Sequence, residues 1–154
     1  MGKVLSLHYE RCKKDEGARV RKEFKMVVTI SAIIFTFLSA ILILFQLALT
    51  FGMPWGEASM GGKFPGKYPP KMRIVSLINS LILIIITLIV LIKADILLPQ
   101  YRSISNIAIY FVVGFSAVTT ILNIITPSKI ERKIWAPVAM MLLITSIIVT
   151  IVGI

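Results

Sequence analysis

Glu57 and Arg73 are the two charged residues whose spacing could bring them to bear on a ligand. Glu57 is the only carboxylate between Glu23 and Asp95, and Arg73 stands where the uncharged run of residues 74–92 begins. A carboxylate and a guanidinium at the edge of an apolar phase can hold a polar headgroup, or can pin a loop. A solvated pair of this kind contributes about 0–1 kcal/mol. A partly buried pair costs several times that when one partner is removed. Gln46, Asn79 and Asn123 lie inside apolar runs. An amide in hydrocarbon needs a partner, so such residues face the protein interior or a cavity. Trp55 and Trp135 flank the same region; the ordinary role of tryptophan at a membrane surface is as an anchor, and stacking on a ligand is the second reading.

No catalytic constellation accompanies these residues. The single histidine, His8, and the single cysteine, Cys12, both lie in the charged N-terminal tail. One cysteine excludes dithiol chemistry, and the ligands for zinc or iron are lacking. The stretch "GGKFPGKY" nearly spells a phosphate-binding loop. Tyr68 stands where the metal-binding hydroxyl belongs, Pro65 removes an amide, and Pro69 and Pro70 follow where a helix should start. No cofactor and no metal are expected. Proton-coupled transport needs a carboxylate or histidine at membrane depth, and no span holds one. That argues against a four-helix multidrug exporter.

Four apolar runs must position the polar residues. Residues 26–51, 74–92, 104–126 and 135–154 contain no Lys, Arg, Asp or Glu. Crossing a bilayer takes about 20 apolar residues. The chain of 154 residues is 57% hydrophobic and 16% charged, where a soluble domain is about 25% charged. The expected fold is therefore an all-α integral membrane protein: four transmembrane helices in an antiparallel bundle with a structured first loop. Residues 1–25 form a basic tail and residues 26–154 the transmembrane domain. The first run is too long for the apolar part of a signal peptide. Within "GMPWG", Pro54 makes a turn a better reading than a helix-contact motif; Gly114, with Ser116 and Ala117 nearby, is the expected site of close helix packing.

The net charge of +10 would suggest nucleic acid on a soluble protein. Here it is confined to the tail and loops, which points to topology and interfacial anchoring. Four spans put the tail, the second loop and the C-terminus on one side with ten basic residues, against seven on the other. Both termini are expected to be cytoplasmic. Whichever way the bundle points, the first and third loops share a face, so Trp55, Glu57, Arg73, Glu131, Arg132 and Trp135 lie at one surface above Gln46, Ser76, Asn79 and Asn123. The tail reads either as a juxtamembrane amphipathic helix or as a solvated segment. Its opening "MGKVLS" matches an N-myristoylation pattern, which would add little to a chain already anchored by four helices.

The stretch "FQLALTFGMPWGEASMGGKFPGKYPPKMRIVS" resembles a widespread group of small, uncharacterised four-span bacterial membrane proteins. Their pattern is roughly Q-L-A-L-x-x-G-x-P-W-G-x(4)-G-G followed by P-x-x-x-R-x-x-S. It is carried here by Gln46 to Leu49, Gly52, Pro54 to Gly56, Gly61, Gly62, Pro69, Arg73 and Ser76. "ERKIWAP" resembles the group's entry to the last helix. The resemblance implies a bacterial plasma membrane and an important first loop, and brings no activity with it. Three function classes follow from the residues. The first is a non-enzymatic component binding a partner membrane protein, a second copy of itself, a membrane lipid or a small apolar ligand. The second is a small permease or carrier subunit. The third is a lipid-modifying enzyme using Glu57 and Arg73. A filled bundle suits the first class, a water-lined cavity connected to both faces the second, and a cavity open sideways to lipid with Glu57 pointing into it the third.

Overall fold

The computed structural model describes the backbone of residues 2–153 and the side chains of residues 14–153. The side chains of His8 and Cys12 lie outside the described residues. Four long helices carry the chain: α1 (Gly2–Thr50), α2 (Pro70–Lys93), α3 (Arg102–Ile125) and α4 (Lys129–Val152). No strand occurs among the described residues. All four helices are long and apolar enough to cross a membrane. Helix α1 runs without a break from the tail into its span, through Gly17, which no neighbouring atom approaches. At about 1.5 Å per residue its 49 residues reach about 74 Å, more than twice the hydrocarbon thickness. Side chains 14–27 are exposed, so this part of α1 stands clear of the bundle. Deleting residues 2–20 is expected to leave thermal unfolding of the bundle in mild detergent unchanged. Loss of a cooperative transition in the truncated protein would show that the tail supports the fold.

Each helix packs on its chain neighbour, and α4 returns to close against α1. The result is an up-down-up-down bundle in which every adjacent pair is antiparallel. Two seams are lined by small hydroxyl residues. Ser39, Ser76 and Ser80 are buried on α1 and α2, and Ser105, Ser116, Thr120, Thr145, Ser146 and Thr150 on α3 and α4. Small side chains let backbones approach where lipid provides no hydrophobic drive. Most of these hydroxyls bond the carbonyl three or four residues earlier on their own helix, such as Ser80 Oγ to Ser76 O at 3.1 Å and Thr120 Oγ1 to Ser116 O at 2.7 Å. Gly114 is not part of a seam. It is exposed, with open space where a side chain would stand. Close packing passes instead through Ser116, two residues and about 200° further round the helix.

The apolar core occupies one half of the bundle. Val28, Ala32 and Phe35 of α1 meet Ile86 and Val90 of α2, Ile109 and Val112 of α3, and Leu142 and Val149 of α4. These residues all lie towards the second-loop end. That end is closed by polar contacts. Arg102 pairs with Asp95 at 2.7 Å and donates to Gly153 O at 3.3 Å, while the buried Lys93 donates to Asn106 Oδ1 at 2.8 Å. The half towards the first and third loops is not filled.

Candidate functional site: a capped cavity

The first loop folds as two 3-10 turns, Gly56–Ala58 and Met60–Gly62. Its two sides are joined by the Gly56 amide donating to Gly66 O at 3.1 Å. Beneath it Tyr68 is 1% exposed, with Phe64 edge-on at 5.9 Å between ring centroids. The loop therefore has a small core of its own, and the expectation of a structured first loop holds.

Three contacts hold this cap to the third loop and α4. Glu131 Oε2 accepts from the Gly61 amide and from Thr126 Oγ1, both at 2.7 Å. Ser128 Oγ donates to Glu57 O at 2.8 Å, and Trp135 Nε1 donates to Ala58 O at 2.8 Å. Gly61 has φ +69, a region that a side chain would penalise, and this turns its amide towards the carboxylate. Ser128 also caps α4, accepting from the Glu131 amide at 3.2 Å. Arg132 reaches back to Thr126 O. A single carboxylate thus joins the first loop to the third, 70 residues apart in sequence.

Under the cap lies a cavity of about 540 Å³. Its walls come from all four helices. Phe35, Leu42, Leu83, Ile86, Phe115 and Leu142 make an apolar floor on top of the core. Gln46, Asn79, Asn123, Thr119 and Glu131 line the part nearer the cap, whose own contribution is Ser59, Met60, Gly61 and Lys63. Asn123 Nδ2 donates to Thr119 O at 2.8 Å. The side-chain amides of Gln46 and Asn79 make no hydrogen bond to the described residues and face the cavity. Among those residues no three His, Cys, Asp or Glu side chains come together as metal ligands would.

The sequence-derived residues separate into two groups. Gln46, Asn79, Asn123 and Trp135 share the cavity lining. Trp55, Glu57 and Arg73 do not. Arg73 lies on the α1–α2 side, where Nε donates to Tyr68 O at 2.9 Å and the guanidinium fills the space beside Gly52. Glu57 is exposed, and its turn is drawn to the opposite side by Ser128 and Trp135. The expected Glu57–Arg73 pair is therefore not formed; Arg102–Asp95 is the only ion pair among the described residues. Trp55 stacks on Phe45, with centroids 6.4 Å apart and an interplanar angle of 3°, while the Trp135 indole N–H donates to a cap carbonyl. Phe45 also contacts Trp135, at 4.6 Å.

Parity puts Glu131 at this surface; its role in holding the cap is what reading the sequence missed. The signal was present: Ser128-Lys129-Ile130-Glu131 spells a capping box, S-x-x-E, at the start of a helix. In the usual box the glutamate turns back to the serine amide. Here it reaches out to the cap.

Tyr68 carries a titratable group that the cavity does not use. Its hydroxyl is buried without a hydrogen-bond partner. Burial raises its pKa above the ordinary 10.0; the Ser59 hydroxyl lies near enough to oppose the rise without meeting hydrogen-bond geometry, and the Glu131 charge adds to it. A raised pKa in the folded state stabilises the fold below pH 10.0, and that contribution is lost as pH climbs through the folded value. Tyr68→Phe removes an unpartnered hydroxyl and keeps the ring. It is expected to be neutral or slightly stabilising at pH 7, and to flatten the fall in stability between pH 9 and 11. Thermal melts across that range, wild type against variant, check both.

Comparison of the chain with protein-family models, with curated proteins and with solved structures returns no match. The capped cavity itself therefore carries the functional reading.

Proposed function

We propose that this is a non-enzymatic protein of a bacterial plasma membrane that holds a lipid or small apolar ligand in the cavity beneath its first loop. One observation carries the reading: a cavity of about 540 Å³, apolar at its floor and lined by amides nearer the cap. Ligand sites commonly span about 300–1,000 Å³, mostly apolar with a few convergent polar groups. An enzyme using Glu57 and Arg73 is less well supported, since neither reaches the cavity. A carrier is less well supported too, because the cavity ends on Phe35, Ile86 and Leu142 at the top of the core. Both termini are read as cytoplasmic from the basic residues, which puts the cap on the outer face.

Native mass spectrometry of the protein purified in mild detergent tests the binding. A retained small molecule is expected on the wild type and not on Ala139→Phe, which fills the space beside the floor. Leu83→Phe serves if that variant is unstable. Retention on both variants would place the ligand elsewhere, and a retained protein or second copy in its place would favour the partner-binding alternative. Orientation is tested by Lys63→Cys in a background without Cys12. Labelling of intact cells by an impermeant thiol reagent is expected; labelling only after lysis would reverse the topology.

A further inference from the structure

The bundle is not equally closed on all sides. Of its four seams, the one between α2 and α3 is the least closely packed. In the half near the cap, the buried residues of α2 are Ser76 and Ser80 and those of α3 are Ser116 and Thr120. At 100° per residue, Leu122 lies about 160° round α3 from Thr120, on the other flank of the helix. Leu122 lines the cavity and is 56% exposed; Ile125 lines it and is 65% exposed. The same side chains touch the cavity and the exterior, so the cavity reaches the surface along α3. By contrast, the cap is tied to α4 and the third loop by three hydrogen bonds.

The geometry points to a ligand drawn from the bilayer itself: a single-chain, neutral amphiphile that enters sideways between α2 and α3. This deepens the proposed binding function and rests on it. The polar groups settle the head chemistry. Gln46 and Asn79 each offer both a donor and an acceptor, and neither is charged. The Glu131 oxygen nearest the cap is already occupied by two donors. A head carrying hydroxyls or an amide satisfies the amides; the one cation of the lining, Lys63, is exposed on the cap and open to water. The tail runs down to the apolar floor. The volume suits a drug-sized molecule, hence one acyl chain and not two. Entry from the bilayer leaves the tail in apolar surroundings throughout, whereas entry through the cap would take it through water and break the Glu131 contacts.

The test uses Trp135 as reporter, since it lines the cavity and the chain holds only one other tryptophan. The full chain carrying Trp55→Phe is reconstituted in phosphatidylcholine vesicles. Vesicles loaded with a dibrominated monoacylglycerol are then mixed in and indole quenching is followed. Saturable quenching is expected, reversed by unbrominated monoacylglycerol and not by excess phosphatidylcholine. Leu122→Phe, an exposed position that can accept a ring without disturbing the core, narrows the seam. It should slow the onset about tenfold, the effect of about 1.4 kcal/mol on a barrier. Glu131→Gln loosens the cap and should leave the onset unchanged. If Leu122→Phe has no effect and Glu131→Gln speeds the onset, binding stands and sideways entry is overturned. If the quenching is not saturable, while native mass spectrometry still finds a ligand that Ala139→Phe loses, the ligand class is wrong and the cavity reading survives. If neither assay finds a cavity ligand, both fail together.

Discussion

Glu131→Ala should cost about 3 kcal/mol of stability, from the loss of two hydrogen bonds to a charged group at about 1.5–3 kcal/mol each, discounted for partial exposure. The carboxylate is the sole acceptor for the Gly61 amide and for Thr126 Oγ1, at 2.7 Å in each case. Thr126 is 6% exposed, so its hydroxyl cannot turn to bulk water in compensation. Glu131→Gln keeps an acceptor oxygen and loses the charge, and should fall about midway. Glu57→Gln is the control. Glu57 is exposed and engages the cap through its backbone carbonyl alone, so a change within about 0.5 kcal/mol is expected. Thr126→Val completes a cycle with Glu131→Gln, and the double variant should cost less than the sum of the singles by about 1 kcal/mol. Denaturant unfolding in mild detergent reads all five variants. Equal stability of Glu131→Ala and wild type would mean that the cap stays in place without its latch.

Residues 26–51, 74–92, 104–126 and 135–154 were legible as spans because hydropathy reports directly on hydrocarbon. Helix ends were less so. Helix α4 begins at Lys129, ahead of the apolar run, since its charged first turn is capped by Ser128 and lies outside the hydrocarbon. Parity also placed the first and third loops on one face, and with them Gln46, Asn79, Asn123 and Trp135. What parity lacks is direction around the bundle axis. Glu57 and Arg73 share a membrane surface and still point to opposite sides, because Arg73 follows α2 while Glu57 follows the turn drawn to α4. The latch was hidden for a related reason. Glu131 sits among Lys129, Arg132 and Lys133 and reads as one charge in a basic loop until the first loop's path is known. Gly114 was misread because a glycine in a span signals close contact only when it faces a neighbouring helix.

That last contrast supplies the sharpest pair of glycine substitutions. At Gly56 a β-carbon would stand 2.0 Å from the Phe64 carbonyl oxygen, and 2.9 Å from both the Gly66 oxygen and the Tyr68 ring. Two of those three neighbours are backbone atoms, and the third is the buried centre of the cap. The Gly56 amide is also the donor that joins the two sides of the loop, to Gly66 O at 3.1 Å. No rotamer change relieves such a contact; the loop must open. Gly56→Ala should therefore cost at least about 3 kcal/mol, the upper end for overpacking, and should abolish ligand retention together with the cap. Gly114→Ala is the mirror case. It sits mid-helix and exposed, with nothing near its β-carbon, so the better helix propensity of alanine acts alone and should stabilise by about 0.5–1 kcal/mol. Both are single-methyl changes at glycines, so composition cannot account for a difference between them. If Gly56→Ala melts with the wild type, the first loop is not packed against itself as described, and the cavity has no fixed cap.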